Sequence, residues 1–310
     1  MAGVQFKISL PSPPQDPGHT SHSDCSSCSF QKSVMTTFAK SSFDALSYMN
    51  FRPSYNKLAM QSFLQHHHGD RLLAVDLGCG PGTATLLLTD CFDQVIGIDP
   101  SDSMLVTARS TAKAKGITNV DFVQGSDHKL PLADHSVDLL TIAQSLHWFD
   151  PTLFLPEAKR VLKPSGTLVA WGYMYGEIDG HSDLLRQLGR HTTLADYWEP
   201  GRTIAEGGCI SWLPLFQQYF GHVQHFSYPT KLTPMSQIQH PPWMDPSELT
   251  YPGLVQYTKT WSCYKNWKDD PANANQPDVI DAFFQANLRH TSESTYRIQW
   301  PHSIILAQFE

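Results

Sequence analysis

Apolar positions along this chain fall into short blocks separated by polar, glycine-bearing turns. Leu72, Leu73, Ala74, Val75 and Leu77 form the first block, with the length and continuity of a strand buried on both faces. Val95-Ile96-Gly97-Ile98, then Val120, Phe122 and Val123, then Val137 to Ile142, and then Thr167 to Trp171 repeat the pattern. Between these blocks the apolar spacing turns helical. Met104, Leu105 and Ala108 follow Ser101, a predicted N-cap, and stop before Gly116. Phe154, Ala158, Val161 and Leu162 follow Asp150-Pro151, and the turn Lys163-Pro164-Ser165-Gly166 leads to the fifth strand. Upstream, Tyr55, Leu58, Ala59, Ser62 and Phe63 mark one helix face, with Pro53 near its first turn and His66-His67-His68 at an exposed end.

Strands alternating with helices predict an α/β fold with a parallel sheet and right-handed crossovers. Ligands of such sheets bind beyond the carboxyl ends of the strands. The rhythm breaks at residues 175–295, which are rich in proline and carry Trp198, Trp212, Trp243, Trp261 and Trp267. Helical pieces such as Val279-Ile280-Phe283-Phe284-Leu288 make this stretch a largely helical, aromatic-rich, substrate-capping insert. Tyr296 to Phe309 reads as a strand interrupted near Pro301, and residues 223–228 offer a shorter partner. The expectation is a Rossmann-like, mostly parallel seven-stranded sheet with helices on both faces, formed by residues 38–174 and 296–310 around the insert. Residues 1–37 read as a mobile tail.

A formal charge of −7, with only 22 Lys plus Arg, leaves no basic stripe for nucleic acid and points to a small-molecule partner. No apolar run approaches a membrane span and no secretory pattern opens the chain, so the expected location is cytoplasmic. Six scattered cysteines suit reduced thiols. The run His19-x-x-His22-x-x-Cys25-x-x-Cys28 has zinc-type ligands, but neither a loop between the pairs nor apolar residues to build a metal-held fold. No metal is therefore expected. The pattern leaves the oligomeric state open.

The candidate chemistry begins at Gly78-Cys79-Gly80-Pro81-Gly82, directly after the first strand. This Gly-x-Gly-x-Gly turn is one residue tighter than the dinucleotide fingerprint and lacks the lysine of a nucleotide-triphosphate loop. Asp99 ends the second strand seventeen residues after Gly82, where a carboxylate can accept ribose hydroxyls. Together with Val161-Leu162-Lys163-Pro164-Ser165-Gly166-Thr167, these segments resemble a class I S-adenosylmethionine-dependent methyltransferase. Phe43-Asp44, Tyr48, Arg52-Pro53-x-Tyr55, Ser145-Leu146-His147-Trp148-Phe149-Asp150 and Trp171-Gly172-Tyr173 are similar to the group that includes trans-aconitate methyltransferase-like proteins.

The resemblance implies S-adenosylmethionine as cofactor and places its contacts. Gly78 and Gly80 would let backbone approach its methionine part, and Asp76 would orient the loop or the amino group. Asp99 would hold the ribose, with Pro100 and Met104 flanking the adenine. Ser126 or Asp127 would meet the adenine amine, where Gly-Ser-Asp replaces the commoner Gly-Asp-Ala. Gln144 would line the sulfonium side, and Tyr48 and Arg52 would close over the cofactor, the arginine pairing with its carboxylate. His147 is the candidate base, with a structural role as the other reading. Trp148, Tyr173 and Tyr175 would shape the acceptor pocket, and Arg186, Arg190 and Arg202 lie in the insert where an anionic acceptor could meet them. The expected activity is methyl transfer to an oxygen, carboxylate or hydroxyl, of a small metabolite, secondary metabolites included. The alternatives are a cyclisation or rearrangement with the cofactor bound but not consumed, and a non-catalytic binding protein, against which the intact Gly78, Gly80 and Asp99 speak.

Overall fold

The computed structural model describes residues 37–40, 43–228, 244–289, 291 and 293–309. The tail, apart from Thr37, lies outside these residues, as do its histidines and cysteines and Trp243 in the insert. Ten strands form among the described residues: β1 (Leu73–Leu77), β2 (Gln94–Asp99), β3 (Val120–Gln124), β4 (Val137–Ala143), β5 (Leu162–Tyr173), β6 (Glu177–Ile178), β7 (His222–Tyr228), β8 (Ser247–Thr250), β9 (Thr295–Gln299) and β10 (His302–Gln308). Seven of them make one sheet in the order β3-β2-β1-β4-β5-β10-β7. The first five run parallel, and β10 runs antiparallel to both its neighbours. The strand order reverses between β1 and β4, and their carboxyl ends diverge into the Gly78 and Gln144 loops. That is the crevice where open α/β sheets bind ligands.

All five residues of β1 are buried, because both faces of the sheet are covered. On one face Val75, Leu77, Ile96, Ile98, Leu140, Ile142 and Ile305 pack with Phe154, Leu155, Ala158 and Val161. On the other, Ala74, Val95, Leu139, Val169, Ile304 and Leu306 pack with Met60, Phe63, Leu64, Leu88 and Phe92. The alternation of these sets along each strand is the period-2 pattern of a pleated sheet.

Several local expectations need correction. The turn Lys163-Pro164-Ser165-Gly166 belongs to the long strand β5, and the register irregularity opposite Val137–Leu139 absorbs its extra residues. Helix α1 (Ala45–Phe51) precedes α2 (Lys57–His66), and Pro53 lies between them rather than in a first turn. His67 is buried, not exposed: its ring bonds to the Thr167 hydroxyl at 2.9 Å and the Asp70 carbonyl at 2.8 Å. Residues 295–299, read as part of the central sheet, pair with β6 and β8 in a separate three-stranded sheet. The break at Trp300-Pro301 is where the chain changes sheets. Trp212 packs with Phe154 in the main core rather than in the insert. Leu184, Leu188, Leu254, Trp261, Trp267, Ile280, Phe284, Ile298 and Trp300 form the insert's own core.

Asp138 is fully buried on β4 and ties three segments together. Its oxygens accept from the backbone N–H groups of Leu72 (3.2 Å) and Leu73 (2.9 Å) and from Lys163 Nζ (2.7 Å). Asp138→Ala would leave these donors unpaired at the start of β1. The expected cost is about 3 kcal/mol in urea unfolding, and a loss below about 1 kcal/mol would show that water replaces the carboxylate.

Candidate active site

Beyond the carboxyl ends of β1 and β4 lies a cavity of about 200 Å³, walled by the glycine turn, the β2 and β4 ends, the N-terminal segment and the insert. The turn is tight because the N–H groups of Gly78 (2.7 Å) and Cys79 (3.1 Å) both reach the Ile98 carbonyl. Gly78 and Gly80 adopt positive φ of 68° and 54°, a region that favours glycine. A side chain at Gly78 would lie 2.4 Å from Ser145 Oγ, so that glycine is required by packing. A Cβ at Gly80 meets nothing within 4 Å, leaving room for a ligand against the backbone.

Asp99 is buried at the edge of this turn. Its carboxylate accepts from Gly80 N (2.8 Å) and Ser101 N (2.9 Å), and burial raises its pKa against the pull of those two donors. Ser101 in turn caps α3 (Asp102–Ala114) through Met104 N. Asp99, Pro100 and Met104 thereby share one wall. An open backbone cradle beside an anchored strand-end carboxylate fits the adenosyl cofactor expected from the sequence.

Gln144 also faces the cavity, held in an uncommon non-glycine conformation at φ 57°. Its Nε2 bonds to the Tyr173 carbonyl at 2.9 Å and its backbone N–H to the Trp171 carbonyl at 2.8 Å. Phe38, Phe43 and Tyr48 form an edge-to-face cluster over the opening, and Phe38 also meets Trp148 at 5.8 Å. Arg52, following α1, reaches inward. It donates to the Tyr173 hydroxyl and the Thr260 carbonyl, each at 3.1 Å, and lies 4.8 Å from the centre of the Tyr48 ring. No carboxylate pairs with it among the described residues.

The opposite wall comes from the insert: Trp198, Glu199, Arg202, Tyr257 and Trp261 join Tyr173 and Tyr175. The Arg202 guanidinium contacts the rings of Tyr175 (3.9 Å) and Trp198 (4.1 Å), which are inclined at 73° to each other. His147 stands between the two halves, its ring 4.6 Å from that of Trp148. Burial first, then Arg202 and Arg52, push its pKa down to about 3, so it is a neutral imidazole at ordinary pH.

Of the residues expected from the sequence, Tyr48, Arg52, Gly78, Gly80, Asp99, Pro100, Met104, Gln144, His147, Trp148, Tyr173 and Tyr175 all line the cavity. Three do not. Asp76 is fully buried beneath the loop, accepting from the hydroxyls of Thr85 (2.6 Å) and Thr141 (3.0 Å), so it can steady the turn without facing the cavity. Asp127 instead accepts from Asp150 N at 3.1 Å, at the start of α4 (Pro151–Val161), and Ser126 bonds toward His128. Trp198, Glu199, Tyr257 and Trp261 carry no local motif and were not assigned to the site, the aromatic density of the insert being their only signal. Arg202 sits there too, whereas Arg190 is exposed.

Residues 75–170 match a family described as a methyltransferase domain. A Dictyostelium discoideum protein provisionally designated a methyltransferase is 34% identical over 174 residues, 55% of this chain and 64% of that relative's length. A Saccharomyces cerevisiae protein provisionally designated an S-adenosylmethionine-dependent methyltransferase is 26% identical over 260 residues, covering 80% of this chain and 88% of the relative. The solved structure of a provisionally designated type II methyltransferase from Anaeromyxobacter dehalogenans superposes with a TM-score of 0.60 at 26% identity, over 83% of this chain and 98% of that one.

Two predictions arise from this geometry. Gly80→Val fills the open cradle and should weaken S-adenosylmethionine binding at least tenfold by calorimetry, with a stability cost of about 1–3 kcal/mol from the left-handed backbone alone. Gly78→Ala should lower stability itself through the Ser145 clash. Equal effects of the two on both readouts would count against the assignment. The second concerns Asp76, whose carboxyl burial raises from 3.8 to about 6 against its two hydroxyl donors. Between those values the unfolded chain has released a proton that the folded chain keeps. Stability therefore falls as pH rises through that window, by about 3 kcal/mol in total. Urea unfolding of Asp76→Asn should lack this decline, and a parallel decline in both proteins would refute it.

Proposed function

We propose that this chain, a class I S-adenosylmethionine-dependent methyltransferase, transfers the methyl group of its cofactor to an oxygen of a small molecule, and that the oxygen belongs to a carboxylate. The observation that carries this reading is the joining, in one cavity, of a glycine-and-aspartate half to an aromatic half containing arginine. In the first half, the backbone at Gly78 and Gly80 would receive the methionine part of the cofactor. Asp99, whose lone pairs exceed its two backbone donors, would accept from the ribose, and Pro100 and Met104 would flank the adenine. Tyr48 and Arg52 would cover the carboxylate end, and Gln144 the sulfonium side.

When bound, S-adenosylmethionine supplies a methyl group on a sulfonium, electrophilic enough for an oxygen lone pair to take. The chain's own contribution is to hold donor and acceptor in line and to keep water out. The aromatic wall of Tyr173, Tyr175, Trp198, Tyr257 and Trp261 suits that exclusion. A hydroxyl acceptor would need a base, and His147, depressed to about 3, is a poor one. A carboxylate is already a nucleophile and needs none. The motif similarity to trans-aconitate methyltransferase-like proteins agrees with such an acceptor, secondary metabolites and a cytoplasmic setting included. The reading in which the cofactor is bound but not consumed is not favoured, because an arginine-bearing wall suits an anion better than an apolar substrate.

Incubation with labelled S-adenosylmethionine and a metabolite extract should yield a methyl ester cleaved by mild alkali. An alkali-stable product would remove the carboxylate assignment, and no label transfer would remove the reading as a whole. His147→Ala should then keep kcat within about tenfold of the parent, with a flat profile around neutrality. A loss of roughly 10²-fold or more, with the pH profile changed, would restore His147 as a base.

A further inference from the structure

Arg202 is held in a manner that leaves most of its donors unused. A guanidinium carries five N–H groups. Here Nε donates to Glu206 Oε1 at 2.9 Å, and neither terminal nitrogen makes a hydrogen bond among the described residues. Nη2 is also shut off from solvent without a partner. The other oxygen of Glu206 is taken by Arg190 at 3.1 Å, so one carboxylate serves two guanidinium groups. The remaining acids of the cavity are engaged as well: Asp99 with the backbone of Gly80 and Ser101, and Glu199 Oε1 with the backbone N–H (3.0 Å) and hydroxyl (2.5 Å) of Thr37. Arg52 adds a second cation without a carboxylate. The acceptor half is therefore aromatic and holds two guanidinium groups, while its one lining carboxylate among the described residues, Glu199, bonds to Thr37 rather than to either of them.

Resting on the methyl-transfer reading, we infer that Arg202 is the residue that selects the acceptor. Its guanidinium, held against Tyr175 and Trp198, pairs with a carboxylate of a small molecule whose planar, unsaturated or aromatic body packs against Trp261. The setting of the side chain supports this. Contact with two ring faces inclined at 73° to each other holds the guanidinium at little entropic cost, and Nη1, the nitrogen neither bonded to Glu206 nor occluded, can donate to a carboxylate oxygen. Trp261 extends the same surface, 5.7 Å from Trp198 and 5.4 Å from Tyr175 between ring centres. With Arg52 given to the cofactor's carboxylate, the one guanidinium left for the acceptor suits a single carboxylate rather than a phosphate, which would call for further donors.

The test uses the full chain saturated with S-adenosylhomocysteine and pairs of probes, cinnamate with cinnamamide and sorbate with sorbamide, titrated by calorimetry. The wild type should bind at least one acid about tenfold or more above its amide. Arg202→Gln should abolish that preference while leaving the amide and S-adenosylhomocysteine affinities unchanged, and Arg202→Lys should restore part of it. An unselective wild type, or an Arg202→Gln variant that keeps the preference, overturns the inference. A variant that loses acid and amide alike shows a purely structural arginine and overturns it too. Methyl transfer to a neutral acceptor with normal S-adenosylhomocysteine binding would sink Arg202 as selector while the methyltransferase reading stood.

Discussion

The site depends on one hydrogen bond at the point where the strand order reverses. Ser145 Oγ donates to the Leu77 carbonyl at 2.9 Å, closing the gap between the ends of β1 and β4. The same hydroxyl occupies the space that a side chain at residue 78 would need. One contact therefore requires a serine after β4 and a glycine after β1, and it sets how far apart the two loops stand. Gln144 extends the tie to β5 through the Trp171 and Tyr173 carbonyls, at the cost of a left-handed backbone of the order of 1 kcal/mol or more. Three strand ends are thus locked in register, and the cavity above them has a rigid floor.

On that floor the chain balances charge in an unusual way. Its cavity-facing cations are not neutralised one for one by carboxylates. Arg52 rests on tyrosines and a backbone carbonyl, and Arg202 on two aromatic rings with a shared glutamate. Aromatic faces attract a guanidinium without adding negative charge, so the field is left for an incoming anion. Burial first, and the same field second, keep the imidazole neutral. His147 faces both arginines, and protonating it would place a third cation in a dry site. On the proposed reading, such a cavity would hold carboxylates well and remove protons badly, which would couple the choice of acceptor to the absence of a base.

The sheet was legible because its strands are short, continuous and buried on both faces, a pattern local enough to read from Leu73 or Val95 alone. That Gly78, Gly80, Asp99 and Met104 share one wall was legible for a related reason: they follow directly from strand ends. What failed locally was decided by distant partners. His67 belongs to an exposed-looking triplet until Thr167, a hundred residues away, buries it. Residues 295–299 have the composition of a strand, but nothing in them says which of two sheets they join. Asp127 stood where an adenine contact is common, and the N–H of Asp150 drew it elsewhere. The acceptor wall is assembled from residues 175, 198, 202, 257 and 261, whose meeting is a tertiary event with no spacing of its own.

The link between the two halves runs through a glycine that no motif marks. A Cβ at Gly201 would lie 2.2 Å from the His147 carbonyl, so the insert can approach the β4 loop closely only because residue 201 has no side chain. Arg202 is the next residue, and that approach carries it to the edge of the cavity. His147 therefore serves the site through its main chain as much as through its ring: its carbonyl seats the insert, and its side chain packs on Trp148. The Ser145-to-Asp150 loop fixes the cofactor cradle through Ser145 and docks the acceptor wall through His147. On the proposed reading, donor and acceptor would be held in line because one short loop positions both walls of the cavity.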